Sequence, residues 1–352
     1  MKELPLLQVD DIAFGGKGVA RHQGKVVFIP FVGTNETVTA RVIKEKKSFA
    51  EGRLLKVVTP SPDRVTPPCP YFTACGGCVY QHLRYERQLE IKAGQVEQTL
   101  RRVGKIAEPP MRPIIPSPNQ YGYRNRIRIH RNNQATGFFG YESRDLVDIE
   151  QCLLAQPEVN RALRKLRLSK VPEGSYALRA SGGAGPFFEQ VNEAVTSALS
   201  ELLDQTVARD QALLVDAYCG GGRFARGLKS HAAAIVGIEA SESAVQYARN
   251  HAGPTEQYIH GDVADHLGDV LSQHDAGKTS VVLDPPPDGL SPRVVDFLLG
   301  SLPSEIAYIS CNPATMARDL ALLAKTYQLR SVTPLDMFPQ TAEIEVFAHL
   351  TR

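Results

Sequence analysis

No run of about eighteen or more apolar residues occurs in this chain, so no membrane-spanning helix is expected. The opening Met1-Lys2-Glu3-Leu4-Pro5 lacks the apolar core of a secretory leader. No internal repeat or low-complexity tract stands out, which sets solenoids and disordered arrays aside. The glycine-rich turns carry no Walker lysine and no clean G-x-G-x-x-G, which argues against ATP and NAD. Net charge is only +2, from 40 Lys and Arg against 38 Asp and Glu. That balance excludes a uniformly basic nucleic-acid coat. It leaves room for a local basic zone, and residues 84–131 are rich in arginine.

What is present is ordinary for a globular protein: 352 residues, 43% hydrophobic and 22% charged. The length implies two or three domains. Six cysteines without a leader point to a reducing cytoplasm rather than a disulfide framework.

Residues 4–58 read as short strands with turn punctuation, the pattern of a small barrel. Gly15 to Ala20 reads as a flexible turn, and Pro60 to Pro70 as a linker. Leu83 to Val103 has helical spacing and a basic surface, and Pro109 to Pro118 breaks it. In Tyr121 to His130, strand alternation places Arg124, Arg126 and Arg128 on one face, beside Tyr121 and Tyr123. From residue 210 onward, buried-strand runs ending in polar residues alternate with helices. That is a parallel sheet with a site at its carboxyl edge.

Four of the cysteines form one pattern: Cys69, Cys75 and Cys78 in C-x5-C-G-G-C, then the distant Cys152. Four thiolates suit an iron–sulfur cluster and structural zinc alike. A second constellation opens with Asp216 to Gly222, a glycine-rich turn between a strand and a helix. Glu239 ends the next strand, 23 residues after Asp216, where an acid binds ribose hydroxyls. Asp262 suits an adenine amino group. Together these indicate an adenosine-containing ligand, and S-adenosylmethionine fits best. Asp284, held by Pro285 and Pro286, closes a later strand on the same edge.

Cys311 follows a buried-strand run and precedes Asn312-Pro313. A thiolate there can add to C6 of a uracil ring and make C5 a nucleophile toward a sulfonium methyl. A base must then remove the C5 proton. Glu343 and Glu345 lie two residues apart in the segment Thr341 to Val346, read as a strand with both on one face. On chemistry alone either could serve.

These residues resemble the RNA 5-methyluridine methyltransferases that carry an N-terminal TRAM domain and an iron–sulfur cluster. The resemblance spans nearly the whole chain. It rests on the four-cysteine spacing, on D-x-x-C-G-x-G-x-F from Asp216 to Phe224, on S-C-N-P-A-T-x-A-R-D from Ser310 to Asp319, and on M-F-P-x-T-x-x-x-E from Met337 to Glu345. It implies Cys311 as nucleophile and Glu345 rather than Glu343 as base. It implies a cofactor site of Gln190, Asp216, Tyr218, Gly220, Glu239, Asp262 and Asp284. It favours a [4Fe–4S] cluster on Cys69, Cys75, Cys78 and Cys152, structural or RNA-positioning in role. Two positions depart from the family: Pro287 stands where an arginine is usual in D-P-x-R, and Arg223 where Asn is common.

The expected architecture has three parts. Residues 1–59 form an OB-like TRAM barrel, residues 60–185 an α+β central domain with the cluster, and residues 186–352 a Rossmann-like, adenosylmethionine-dependent methyltransferase domain. The expected activity is methyl transfer to C5 of a uridine in RNA. Ribosomal RNA, of the 23S type, is the favoured substrate, and transfer RNA or a non-catalytic RNA-binding role are the alternatives. A monomer is expected, cytoplasmic and without a membrane partner.

Overall fold

The structure, a computed structural model, describes residues 3–180 and 190–352. Five strands open the chain: β1 (Glu3–Ile12), β2 (Gly18–His22), β3 (Lys25–Ile29), β4 (Thr37–Glu45) and β5 (Phe49–Thr59). They close into a barrel of order β1-β2-β3-β5-β4. Leu4 and Leu7 are three apart, so simple alternation would send them to opposite faces. A register shift between them, with Leu6 at φ 35°, turns both inward. The barrel core holds Leu4, Leu7, Val9, Val27, Ile29 and Val38. The turn expected over Gly15 to Ala20 is shorter: β2 begins at Gly18, because pairing with β3 carries the extended backbone that far.

The helix α1 (Tyr85–Arg102) ends short of its expected limit at Val103. A second sheet follows, from β6 (Arg126–Arg131), β7 (Thr136–Phe139) and β8 (Leu146–Asp148), then helix α2 (Pro157–Leu168) and β9 (Gly174–Arg179). Its order is β8-β7-β6-β9, and the three strand pairs are antiparallel. Val159, Leu163 and Leu166 of α2 cluster with Ile127 and Ile129 of β6, so one face of the sheet is covered.

The remaining elements are α3 (Glu193–Thr206), β10 (Gln211–Ala217), α4 (Arg223–Gly227), β11 (Ala232–Glu239), α5 (Glu242–Asn250), β12 (Glu256–His260), α6 (Val263–Ser272), β13 (Thr279–Leu283), α7 (Pro292–Ser301), β14 (Glu305–Ser310), α8 (Pro313–Leu323), β15 (Gln328–Leu335) and β16 (Glu345–Thr351). They build a seven-stranded sheet of order β12-β11-β10-β13-β14-β16-β15. The first five strands are parallel, and β16 is antiparallel to both neighbours. Every residue of β13 and β14 is buried, as parallel strands covered on both faces require.

By compactness the chain divides into two units. Residues 3–95, 119–180 and 338–343 make the first, and residues 96–118, 190–337 and 344–352 the second. The barrel and the four-stranded sheet share the first unit, and the seven-stranded sheet belongs to the second.

Candidate active site

Strand order reverses beside β10. Strands β11 and β12 lie to one side of it, β13 and β14 to the other. A crevice outside the carboxyl ends of such strands is where a doubly wound sheet binds its ligand. The sequence-predicted residues Asp216, Tyr218, Gly220, Glu239, Asp262, Asp284 and Cys311 lie at the ends of β10 to β14, within or just beyond the strands.

The turn after β10 is built for close approach. Tyr218, Gly220 and Gly222 take φ of 67°, 51° and 75°, the left-handed region that glycine enters freely. A Cβ on Gly222 would meet the Tyr258 hydroxyl at 2.7 Å, so the turn has no room for one. Asp216 is fully buried and accepts the Ala225 N–H at 2.9 Å through Oδ2, which anchors α4 beneath the turn. Its Oδ1 has no hydrogen-bond partner among the described residues. Burial first, then Asp284 and Glu239, push its carboxyl up to about 7. Glu239 accepts the Gly220 N–H at 3.0 Å on Oε2 and the Ser241 N–H at 2.7 Å on Oε1. It ties the glycine turn to the next loop and still has lone pairs to offer ribose hydroxyls. Asp262 caps α6 through the Ala264 N–H at 2.8 Å and is exposed. Cys219, by contrast, is buried against Gly237, and burial pushes its thiol up.

Gln190 is the first described residue after the gap, and Phe188 and Glu189 of its motif lie outside the described residues. Asn192, just beyond, is buried and caps α3, with its amide donating to Ser117 at 3.0 Å.

Cys311 stands where β14 ends and α8 begins. Ser310, the last residue of β14, pairs with Val346 in the antiparallel ladder, which brings the start of α8 to the end of the sheet where β16 begins at Glu345. Glu345 is 2% exposed, and its Oε1 has no hydrogen-bond partner among the described residues. Burial, then the neighbouring Asp284, hold its carboxyl well above the usual range. Asp284 is itself pushed up to about 7, by burial and then by Glu239. The expectation of one strand face shared by Glu343 and Glu345 is corrected. Strand β16 begins only at Glu345, and Glu343 lies before it with its side chain 65% exposed. Burial separates the two acids where spacing had joined them.

The loop from Asp284 to Leu290 is clamped to α8 by two residues for which the sequence suggested no role. Asp319, buried, accepts the Leu290 N–H at 2.8 Å and the Tyr308 hydroxyl at 2.7 Å. Arg318 donates to the carbonyls of Asp288 and Leu290. Both sit in the Ser310 to Asp319 motif, which was the available signal. At Pro287, where the family has arginine, the backbone carbonyl accepts from Asn312 Nδ2 at 2.9 Å and Thr315 Oγ1 at 3.0 Å. The loop is therefore anchored without that side chain. Arg223, the other departure, is exposed and pairs with Glu193 at 2.7 Å.

Comparison with known proteins places the chain in a family. The model of the tRNA (uracil-5-)-methyltransferase family matches residues 268–352, the segment holding Asp284, Cys311 and Glu345. The TRAM domain model matches residues 6–55. An RNA methyltransferase of Aquifex aeolicus is 32% identical over 433 aligned residues, covering 99% of each chain. One of Bdellovibrio bacteriovorus is 34% identical over 373, covering 98% of this chain and 94% of that protein. The chain belongs to the RNA (uracil-5-)-methyltransferase family. Its fold is shared, at a TM-score of 0.75 and 22% identity, by a Pyrococcus abyssi tRNA (uracil-54, C5)-methyltransferase solved with S-adenosyl-L-homocysteine; the match covers 98% of this chain and 99% of that one. Both alignments to relatives exceed the 352 residues of this RNA methyltransferase, so the relatives carry insertions it lacks.

The first unit of this methyltransferase brings Cys69, Cys75, Cys78 and Cys152 to the wall of one cavity of about 60 Å³, with Tyr71 and Arg124. Burial, before any other cause, pushes up the thiols of Cys75, Cys78 and Cys152, that of Cys78 to about 12. Such sulfurs stay protonated unless a cation compensates them. The Gly77 N–H points at Cys75 Sγ at 3.4 Å, a contact suited to a thiolate. Among the described residues there is no ready-made group of three or more His, Cys, Asp or Glu that could hold a metal ion as it stands. The four thiols share one cavity and are the donor type that soft metals take, but as they stand they do not form a metal-binding group.

The arginine strand is only partly as expected. Strand β6 starts at Arg126, and Arg124 lies before it, 3.5 Å from Glu343 and over the rings of Tyr123 and Phe338. Tyr123 is 3% exposed and donates to the Pro339 carbonyl, so it is closed to stacking on a base. Among the described residues no helix is long and apolar enough to cross a membrane.

Proposed function

We propose that this RNA methyltransferase makes 5-methyluridine through a covalent adduct between Cys311 and its target base. The observation that carries the reading is a buried, incompletely bonded Glu345 at the start of β16, one residue before the Val346 that pairs with Ser310, the residue preceding Cys311. Cys311 adds as thiolate to C6 of uracil, and C5 gains the electron pair. C5 takes the sulfonium methyl of S-adenosylmethionine, and S-adenosylhomocysteine leaves. Glu345, as carboxylate, removes the C5 proton. The C6–sulfur bond then breaks, C5=C6 re-forms, and Cys311 is released. The target base reaches this crevice flipped from its stack. Glu239, Asp262, Tyr218 and Gly220 line the donor side, with Gln190 on the strength of its motif. Asp216 positions the glycine turn, and Asp284 faces Glu345.

Cys69, Cys75, Cys78 and Cys152 would hold a [4Fe–4S] cluster of structural or RNA-positioning role. The Cys75 loop supports it, because Gly76 N–H donates to the Phe139 carbonyl and Tyr141 N–H to that of Ala74, which ties the cysteines to β7. Protein made under anaerobic, iron-replete conditions should carry about four irons. Zinc in stoichiometric amount without iron or sulfide would replace the cluster with a structural ion.

Ribosomal RNA is the proposed substrate, on the combination of barrel and cysteine site. Transfer RNA is the second reading, favoured by the names of the matching family model and of the similar solved structure. Mapping 5-methyluridine in both RNA classes, with and without the gene, assigns the substrate. For the mechanism, Glu345→Gln should accumulate a slow-migrating protein–RNA species on a denaturing gel, and Cys311→Ala in the same chain should remove it. A trapped species with Glu343→Gln and normal turnover with Glu345→Gln would reverse the assignment of the base.

A further inference from the structure

The β8-β7-β6-β9 sheet has a face that α2 does not cover. Ile127 and Ile129 turn toward α2, so alternation sends Arg126, Arg128 and His130 to the opposite face. His130 stands across from Gly137, and Phe139, two residues further, falls on the same face. Phe139 is 43% exposed, and its ring centroid lies 4.3 Å from that of His130, the planes tilted by 33°. On the other side of β6, Ala177 and Ser175 pair with Arg128 and His130. Both are short and exposed, so no tall side chain rises there. Arg128 is exposed as well. A groove of about 360 Å³ opens beside the aromatic pair, with Gly77 and Tyr141 in its wall. The acid in that wall, Glu142, is matched by Lys17 at 2.6 Å, so it does not repel an anion as a bare charge would.

The backbone under Phe139 is fixed. Its carbonyl accepts the Gly76 N–H at 3.0 Å, and Gly140 next to it accepts from Ser143 and donates to Asp145. A solvent-facing aromatic ring on a rigid strand gains little for folding. A flat apolar ring with a guanidinium one strand away matches a nucleobase and its phosphate. A protein partner would call for a wider apolar patch.

We propose that this face is a stacking platform for one unpaired base of the RNA substrate, outside the catalytic crevice, with Phe139 and His130 under the base and Arg128 on an adjoining phosphate. The proposal rests on the RNA reading above and gives it a location in the first unit. Single-stranded RNA is the ligand, because a base inside a duplex cannot offer its face.

The test uses the full chain and two fluorescent probes, a 12-nucleotide uridine-rich single strand and a 12-base-pair RNA duplex. Loss of a stacking side chain weakens single-strand binding by roughly 5- to 150-fold, from about 1–3 kcal/mol per base. Phe139→Ala should show that loss on the single strand and none on the duplex. Phe139→Trp should restore it, and Phe139→Leu, which keeps apolar bulk without a π-face, should not. Arg128→Ala should lower the slope of log affinity against log salt by about 0.7, one phosphate contact on a single strand. Adenosylmethionine binding equal to wild type shows that each variant is folded. Phe139→Ala or Phe139→Leu binding the strand like wild type would overturn the platform, as would a wild-type protein that methylates RNA but binds the strand no better than the duplex. Failure to methylate any cellular RNA would instead remove the functional reading beneath it.

Discussion

Two glutamates, one under the barrel and one at the edge of the seven-stranded sheet, are buried to the same degree and treated in opposite ways. Glu36 is 0% exposed and Glu345 is 2% exposed. Glu36 accepts the Gly33 N–H at 2.7 Å, the Ser61 N–H at 3.2 Å and both prongs of Arg64. Burial alone would push its carboxyl up, but Arg64 and the two amides outweigh burial and hold it below the usual carboxylate range. Glu345 has an oxygen with no partner among the described residues, and the charged group that acts on it, Asp284, is another acid. The saturated carboxylate is a fastener: its charge is spent on holding the chain. The unsaturated one keeps capacity for a proton at a cost to stability, as the proposed role as base requires.

The largest effect that would sharpen the contrast is on turnover. Loss of a general base costs roughly 10²–10⁴ in rate. Glu345→Gln should lose methylation on that scale in steady-state assays, and Glu36→Gln should retain it per folded molecule. Equal activities would erase the distinction. Next comes stability. Breaking one side of a buried ion pair costs roughly 3–5 kcal/mol. Glu36→Gln should sit at the lower end of that range in urea unfolding, because Arg64 keeps 22% exposure and some solvation. A variant as stable as wild type would show that the barrel does not need its fastener.

Glu239 lies between these extremes, since both of its oxygens accept backbone amides but neither meets a cation among the described residues. Removing a charge-assisted bond costs roughly 1.5–3 kcal/mol, or about tenfold and more in affinity. Glu239→Ala should weaken adenosylmethionine binding by that much in calorimetry, and Glu239→Gln by less, because its carbonyl still accepts. Unchanged affinity in Glu239→Ala would take this acid out of the donor site.

How much of this was legible in the sequence follows from the range of each interaction. Strand-end placement of Asp216, Glu239, Asp284 and Cys311 could be read because apolar runs and turn residues are local signals. The closed barrel could be read for the same reason, but the bulge that turns Leu4 and Leu7 inward could not, since it depends on pairing with β4. The different fates of Glu343 and Glu345 were beyond spacing, because burial is set by neighbours far away in the chain. The same holds for Tyr123, whose hydroxyl is taken by Pro339 across 216 residues, and for the Asp319 clamp on Leu290. The aromatic partners of the arginine strand were sought at Tyr121 and Tyr123. Tyr123 is closed off by burial, and the register of β6 with β7 sets His130 and Phe139 together on the arginine face.

The smallest effect is the one that tests the comparison most directly, through pH. The folded-state pKa of Glu345 is raised, so the folded protein prefers the protonated form. By linkage, its stability contribution is most favourable below the unfolded value of about 4.3 and is progressively lost as pH rises from there toward the folded value. Glutamine mimics the protonated carboxyl and does not titrate. Glu345→Gln should therefore melt close to wild type near pH 4 and above it at pH 7 to 8, by about 1–2 kcal/mol, a few degrees in a chain of this size. For Glu36 the sign reverses, because its folded pKa is lowered and its stabilisation is present above the unfolded value and lost on acidification through the folded one. Glu36→Gln should then be far less stable than wild type at pH 7, with the gap narrowing as wild type itself is acidified. Two substitutions of the same residue type, one gaining and one losing stability relative to wild type as pH rises, would separate the proposed base from the fastener without an activity assay. Parallel melting curves for Glu345→Gln and wild type across that range would mean that the buried carboxyl carries no proton penalty and is not poised as the base.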